Sequence, residues 1–206
     1  MPVAKGVSPV DALTGTLPRG DTMGTHMSVH DDIDRVLYDE QQIKTAIDRV
    51  AAEVARSYGD RGFTVVSVLK GSCVFASDLI RRIPNRLELA FLAASSYGAG
   101  TESGELRIDF VPTGSEIEDR DLLLVDDILD TGRTLSKLKD ELQRRGARSV
   151  RTCVFLDKPS RRSVPIVADF RCFEVENLFV VGYGLDYAGR YRNLPYVGAL
   201  RRELYS

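Results

Sequence analysis

Leu122-Leu123-Leu124-Val125 is apolar at every position, with no polar residue to mark a face turned to water. A strand of that kind has to be covered on both sides, which is the condition of an interior strand in a parallel sheet. From Arg133 to Arg145 the period changes, and Leu135, Leu138 and Leu142 recur at helical spacing on one face. The same alternation runs along most of the chain. Asp39 to Ser57 reads as a helix that Asp39 can cap, with Ile43, Ile47, Val50 and Val54 as its stripe and Gly59 as its end. Phe63 to Leu69 reads as a short apolar strand, followed by a helix through Phe75, Leu79 and Ile80 that stops before Pro84. Leu87–Ala94, Leu106–Phe110, Ser149–Leu156 and Leu178–Val181 complete the expected strands. Strands alternating with helices predict an α/β fold, a mostly parallel central sheet flanked by helices, with ligands outside the carboxyl ends of the strands. Residues 1–29 show neither period and are expected to form a flexible extension, leaving 30–206 as one folded domain.

Composition removes several kinds of chemistry. The net charge of −2, with both signs interspersed, advertises no field for nucleic acid, and no apolar run approaches the roughly 20 residues of a membrane helix. The first 28 residues have no apolar core, so a cytoplasmic location is expected rather than secretion. Three cysteines, far apart, offer neither a CxxC pair nor a disulfide framework. The two histidines, His26 and His30, leave a histidine triad or a histidine zinc site without material. No GxxxxGK[ST] occurs, and Gly182-Tyr183-Gly184-Leu185-Asp186-Tyr187 fails GxGxxG at its last position. Catalysis must therefore rest on carboxylates, lysine and arginine.

Those groups concentrate between the strand at Leu122 and the helix at Arg133. Asp126, Asp127 and Asp130 are followed by Thr131-Gly132-Arg133-Thr134. A helix N-terminus behind a small, hydroxyl-bearing turn is an anion site, because unpaired N–H groups and the helix dipole converge there. The carboxylates cannot hold that anion; they suit sugar hydroxyls, a divalent cation or a proton in transit. A phosphate pocket beside an acidic cluster describes a site for a phosphorylated sugar. Tyr97 to Glu105, with three glycines, is either a mobile flap or an ordinary hairpin loop.

The run Leu124 to Thr134 closely resembles the phosphoribosyl-pyrophosphate motif of the type I phosphoribosyltransferases, and the acid at Asp130 is similar to the hypoxanthine-guanine branch. Val68-Leu69-Lys70-Gly71, Asp157-Lys158-Pro159 and Phe179 to Tyr187 agree with that branch in order and spacing, and Tyr191 to Gly198 looks like its bacterial form. The likeness covers roughly Asp32 to Leu200 and implies the family fold, with a small hood and a flexible flap that begins at Ser96-Tyr97. It implies transfer of phosphoribose from phosphoribosyl pyrophosphate to an oxopurine, with Mg²⁺, in a homodimer or homotetramer.

The roles carried over follow from the matching positions. Asp126 and Asp127 would hold the ribose hydroxyls, directly or through Mg²⁺, although hypoxanthine-guanine members usually carry Glu where Asp126 stands. Asp130 would be the base at N7 of the purine, and Thr131, Gly132, Arg133 and Thr134 would cradle the 5′-phosphate, Gly132 by allowing close backbone approach. Lys70 and Gly71, in a turn with a non-proline cis peptide, would meet pyrophosphate together with Arg192; Arg190 is a competitor for that last role. Lys158 would donate to O6, Phe179 would stack on the base, Val180 would meet its edge through backbone groups, and Asp186 would lie near the base and a Mg²⁺. A xanthine-preferring transferase and an RNA-binding pyrimidine regulator share the fold; the second is expected to have a basic face and no acid at the position of Asp130.

Overall fold

Residues 28–96 and 106–205 are described by the computed structural model; the expected flap from Tyr97 to Glu105 and residues 1–27 of the expected extension lie outside them. In chain order the elements are β1 (Ile33–Tyr38), α1 (Glu40–Tyr58), β2 (Phe63–Leu69), α2 (Cys73–Ile80), β3 (Leu87–Ser96), β4 (Leu106–Phe110), α3 (Gly114–Ile117), β5 (Asp121–Leu129), α4 (Arg133–Arg144), β6 (Ser149–Asp157), β7 (Phe170–Glu174), β8 (Val180–Val181) and β9 (Val197–Leu200). Single 3₁₀ turns follow β6 and β9.

Local signals set the helix boundaries. Asp39 accepts from the Gln42 N–H at 2.8 Å while its own N–H donates to Gln42 Oε1 at 2.9 Å, a reciprocal cap of about 1 kcal/mol. Gly59, at φ 58°, ends α1. Beneath the helices, five parallel strands and one antiparallel edge strand form a sheet in the order β4-β3-β2-β5-β6-β7. Val65 lies opposite Leu123 and Val66 opposite Leu124, so successive residues turn to opposite faces. Val65, Leu123, Val125 and Phe155 pack against Val50 and Val54 of α1 and Phe75 and Leu79 of α2. Val66, Leu122, Leu124 and Val154 pack against Leu135, Leu138 and Leu142 of α4. Both faces are covered, as the apolar strands require.

Two sequence expectations are corrected. Leu178–Val181 contributes only the two residues of β8, and these do not join the parallel sheet. They pair antiparallel with β9, which pairs with β1, in a separate three-stranded hood. The segment from Phe179 to Tyr187 therefore approaches the site from above instead of emerging from a parallel strand. A short apolar run cannot name its sheet when its partners come from the two ends of the chain. The second correction concerns β5, which continues through Asp126 and Asp127 to Leu129, because β6 runs alongside and pairs Ile128 with Leu156 and Leu129 with Asp157. The two acids belong to the strand and not to the turn.

Candidate active site

The carboxyl ends of β2 and β5 and the hood enclose a cavity of about 900 Å³, lined by Lys70, Gly71, Asp126, Asp127, Thr131, Gly132, Thr134, Asp186 and Arg192 among others. A second cavity of about 500 Å³ contains Lys158, Phe179, Val180 and Arg161. Asp127, Ile128, Asp130 and Asp186 line both, so the two hollows adjoin.

At the floor of the larger cavity, Gly132 takes the left-handed conformation (φ 85°) and turns the chain from β5 into α4. Gly132 brings no capping side chain to α4; the Arg133 N–H donates to Thr131 Oγ1 at 3.4 Å, and the next N–H groups of the first turn are left available to an anion. The fold adds its own requirement for glycine. A Cβ at Gly132 would lie 3.0 Å from Val164 and closer still to Ile166, so the absent side chain also makes room for the 162–166 segment. Ser163 fastens that segment, its N–H donating to the Thr131 carbonyl at 2.9 Å. Arg133 is drawn outward: its Nε donates to Ser163 Oγ at 3.1 Å, and it is absent from the cavity lining.

Asp126 is only 8% exposed, and its Oδ1 accepts the Asp127 N–H at 3.0 Å. Burial, then repulsion from Asp127, pushes the Asp126 carboxyl well above the usual carboxylate range. Burial also raises Asp127, against the pull of its hydrogen bonds and of Arg192. Such a pair stores a demand for positive charge or hydrogen-bond donors, which sugar hydroxyls or a divalent cation can meet. It also costs stability while it is empty. Because the folded carboxyl binds its proton more tightly than the unfolded one, the penalty is full above the raised pKa and fades as pH falls through it toward the unfolded value of about 4. Asp126→Asn is therefore expected to raise the melting temperature of ligand-free protein at pH 8 and to lose that advantage on acidification. Thermal melts of both proteins at several pH values check this.

Around the acids the backbone is crowded. The Leu69–Lys70 peptide is cis, as the likeness implied for this turn. A Cβ on Gly71 would be 2.6 Å from Asp127 Cγ and overlap Oδ2. Gly184 of the hood, at φ 99°, has its own Cβ position against the Gly71 carbonyl. Arg192 donates to the Gly184 carbonyl at 2.6 Å and pairs with Asp186 Oδ1 at 2.6 Å. The other Asp186 oxygen accepts from the Gly189 N–H at 2.8 Å. Asp186 is thus tied within the hood, and both it and Arg192 also face the cavity. Arg190 is exposed and outside the lining of both cavities.

In the smaller cavity, Lys158 Nζ donates to the Leu178 carbonyl at 2.7 Å. Burial lowers the pKa of this lysine, with Asp130 acting in the opposite direction. The Phe179 ring stacks on Tyr205 (centroids 4.7 Å, 27°) and meets the edge of Tyr187 at 5.2 Å. Val180 is buried beside it. The side chains of Ser96 and Tyr97, expected to open the flap, lie outside the described residues.

Three residues that sequence reasoning passed over complete the surroundings. Arg161 Nε donates to Asp130 Oδ1 at 3.2 Å. Arg162 binds the buried Asp157 and donates to the carbonyls of Leu129, at 3.0 Å, and Asp130, which ties the acidic loop to the end of β6. Tyr205 reaches the cavity from the turn after β9. Arg162 had a signal: an aspartate ending an apolar strand needs a cationic partner, and Arg162 follows Asp157 by five residues. Nothing local marks Tyr205.

Comparison with known proteins agrees with this arrangement. The phosphoribosyl transferase domain family model matches residues 35–188. The bifunctional TilS/HprT protein of Listeria innocua is 48% identical over 185 residues, 89% of this chain and 28% of that protein, so the chain spans less than a third of that relative. Hypoxanthine-guanine phosphoribosyltransferase of Streptococcus mutans is 44% identical over 176 residues, 85% of this chain and 97% of its own length. The crystal structure of a hypoxanthine phosphoribosyltransferase from Staphylococcus aureus aligns with a TM-score of 0.82 at 43% identity, covering 88% of this chain and 99% of that one. The chain belongs to the phosphoribosyltransferase family, in its hypoxanthine-guanine branch.

Proposed function

We propose that this chain is a purine salvage enzyme that transfers 5-phosphoribose from phosphoribosyl pyrophosphate to N9 of hypoxanthine or guanine, giving IMP or GMP and pyrophosphate. The observation that carries the reading is the adjoining of two unlike cavities across Asp127 and Asp130. One offers a helix N-terminus behind a glycine and a buried acid pair; the other offers a donor-only lysine and an aromatic ring. The 5′-phosphate fits at Thr131, Gly132 and Thr134, and the ribose hydroxyls at Asp126 and Asp127. Pyrophosphate fits at Lys70, Gly71 and Arg192, whose fork can exchange Asp186 for two phosphate oxygens. The purine fits against Phe179 and Val180, with O6 at Lys158.

The C1′ bond to pyrophosphate breaks as N9 bonds to C1′, and the proton leaving the purine passes to Asp130 at N7. The residues mainly hold the two reactants in register and neutralise the leaving group. Among the described residues no group of three or more potential ligands could cage a metal ion. Two carboxylates facing a cavity suit a hard cation that takes its remaining oxygens from substrate, and Mg²⁺ bound in this way would screen pyrophosphate charge. We further read the protein as a cytoplasmic homodimer or homotetramer; no described helix is long and apolar enough to cross a membrane.

One assay tests the reading. With phosphoribosyl pyrophosphate, Mg²⁺ and equal amounts of adenine, guanine and hypoxanthine, IMP and GMP are expected and AMP is not, since a lysine can serve O6 but cannot accept from an amino group. EDTA is expected to stop the reaction and Mg²⁺ to restore it. Appreciable AMP, or full activity in EDTA, would overturn the assignment.

A further inference from the structure

Phe179 separates more than a purine from the core. Together with Tyr205 it lines the smaller cavity and also a third hollow of about 690 Å³, whose other walls include Arg35, Leu200 and Arg202. Tyr205 therefore stands between two spaces. Its ring stacks on Phe179 at 4.7 Å and packs on the cluster around Ile33, Val181 and Leu200. The backbone fixes it there: Arg201 N–H donates to the Asp32 carbonyl at 3.0 Å, and Tyr205 N–H to the Arg202 carbonyl at 3.2 Å. Among the described residues its hydroxyl has no hydrogen-bond partner, so the contact it makes is the face of the ring.

We propose that Tyr205 is a positioning residue of the base pocket: it holds the Phe179 ring at the angle on which the purine stacks, and it closes the pocket toward the neighbouring hollow. The inference rests on the reading of the smaller cavity as the purine site. A ring that is packed on one side by another ring loses less freedom when a base arrives, which is how a wall of this kind contributes to affinity without touching the reacting atoms. Removing it leaves Phe179 free to tip and joins the base pocket to the space lined by Arg202.

Tyr205→Ala is expected to raise the KM for hypoxanthine and guanine about 3- to 10-fold, the range that aromatic pairs supply. The kcat and the KM for phosphoribosyl pyrophosphate should stay within about twofold, because no group at the ribose or phosphates has moved. Tyr205→Phe keeps the ring and should behave as the parent protein. The chain has no tryptophan, so Tyr205→Trp places a single indole against the pocket; its emission should change on adding GMP and stay unchanged with pyrophosphate. An unchanged base KM in Tyr205→Ala would overturn the proposal, as would equal losses for both substrates or an indole blind to GMP. If Tyr205→Ala fails to fold, the Phe and Trp variants still decide it. Failure of the parent protein to make either nucleotide would instead overturn the functional reading.

Discussion

Asp130→Asn is expected to lower kcat by about 10²- to 10⁴-fold, the usual cost of losing a general base, while the affinity for phosphoribosyl pyrophosphate changes little. The substitution keeps the side chain's size and removes only its charge and basicity. It also breaks the ion pair with Arg161, but those side chains are 38% and 48% exposed, and a pair so open to water contributes little to stability. The variant should therefore melt close to the parent protein. Calorimetry for the diphosphate and single-turnover rates for the chemical step separate the two quantities. A variant that lost binding yet kept its chemical rate would remove Asp130 from proton transfer. Asp127→Asn should show the opposite balance, with more of its loss in diphosphate affinity.

Gly71→Ala should be almost as damaging to activity, for a different reason. The added methyl occupies the space of the Asp127 carboxylate. That carboxylate ends a short side chain and can swing away, so the fold should survive, but it leaves the position proposed for the ribose hydroxyls. A loss of at least about 10²-fold in kcat/KM is expected, of the order that displacing a substrate-positioning group by an ångström brings. Gly146→Ala is the control. Gly146 is also left-handed, at φ 90°, yet a Cβ there meets nothing nearer than 3.6 Å. It should cost about 1–2 kcal/mol of stability and leave activity intact. Equal activity in the Gly71→Ala and parent proteins would show that the crowding around Asp127 has no bearing on catalysis.

How much of this could be read beforehand follows the range of each signal. The helix from Glu40 and the strand Phe63–Leu69 were legible because caps and apolar runs act within a few residues. The larger cavity was legible for the same reason: Asp126 to Thr134 brings its own strand, acids and helix start in one continuous segment. The hood was expected only from the family likeness and not from any local signal, because β8 finds its place through β9 and β1, and Ile33 and Leu200 pair from opposite ends of the chain. Tyr205 was invisible on the same account. Gly132 had a second reason that sequence could not show: Val164 and Ile166 pack against it from another segment.

Asp186 has a consequence for how the two reactants sense one another. It lines both cavities, and Arg192 holds it. On the proposed reading, an anion that drew the Arg192 fork away from the hood would release Asp186, and loading the diphosphate would then alter the charge presented to the purine. Whatever factor this exchange applies to the second partner's affinity, it applies equally to the first, since the free energy around a closed cycle of binding steps is zero. A single ion pair in the hood would thus make the two proposed ligands thermodynamic neighbours, although neither needs to touch the other through Asp186 itself.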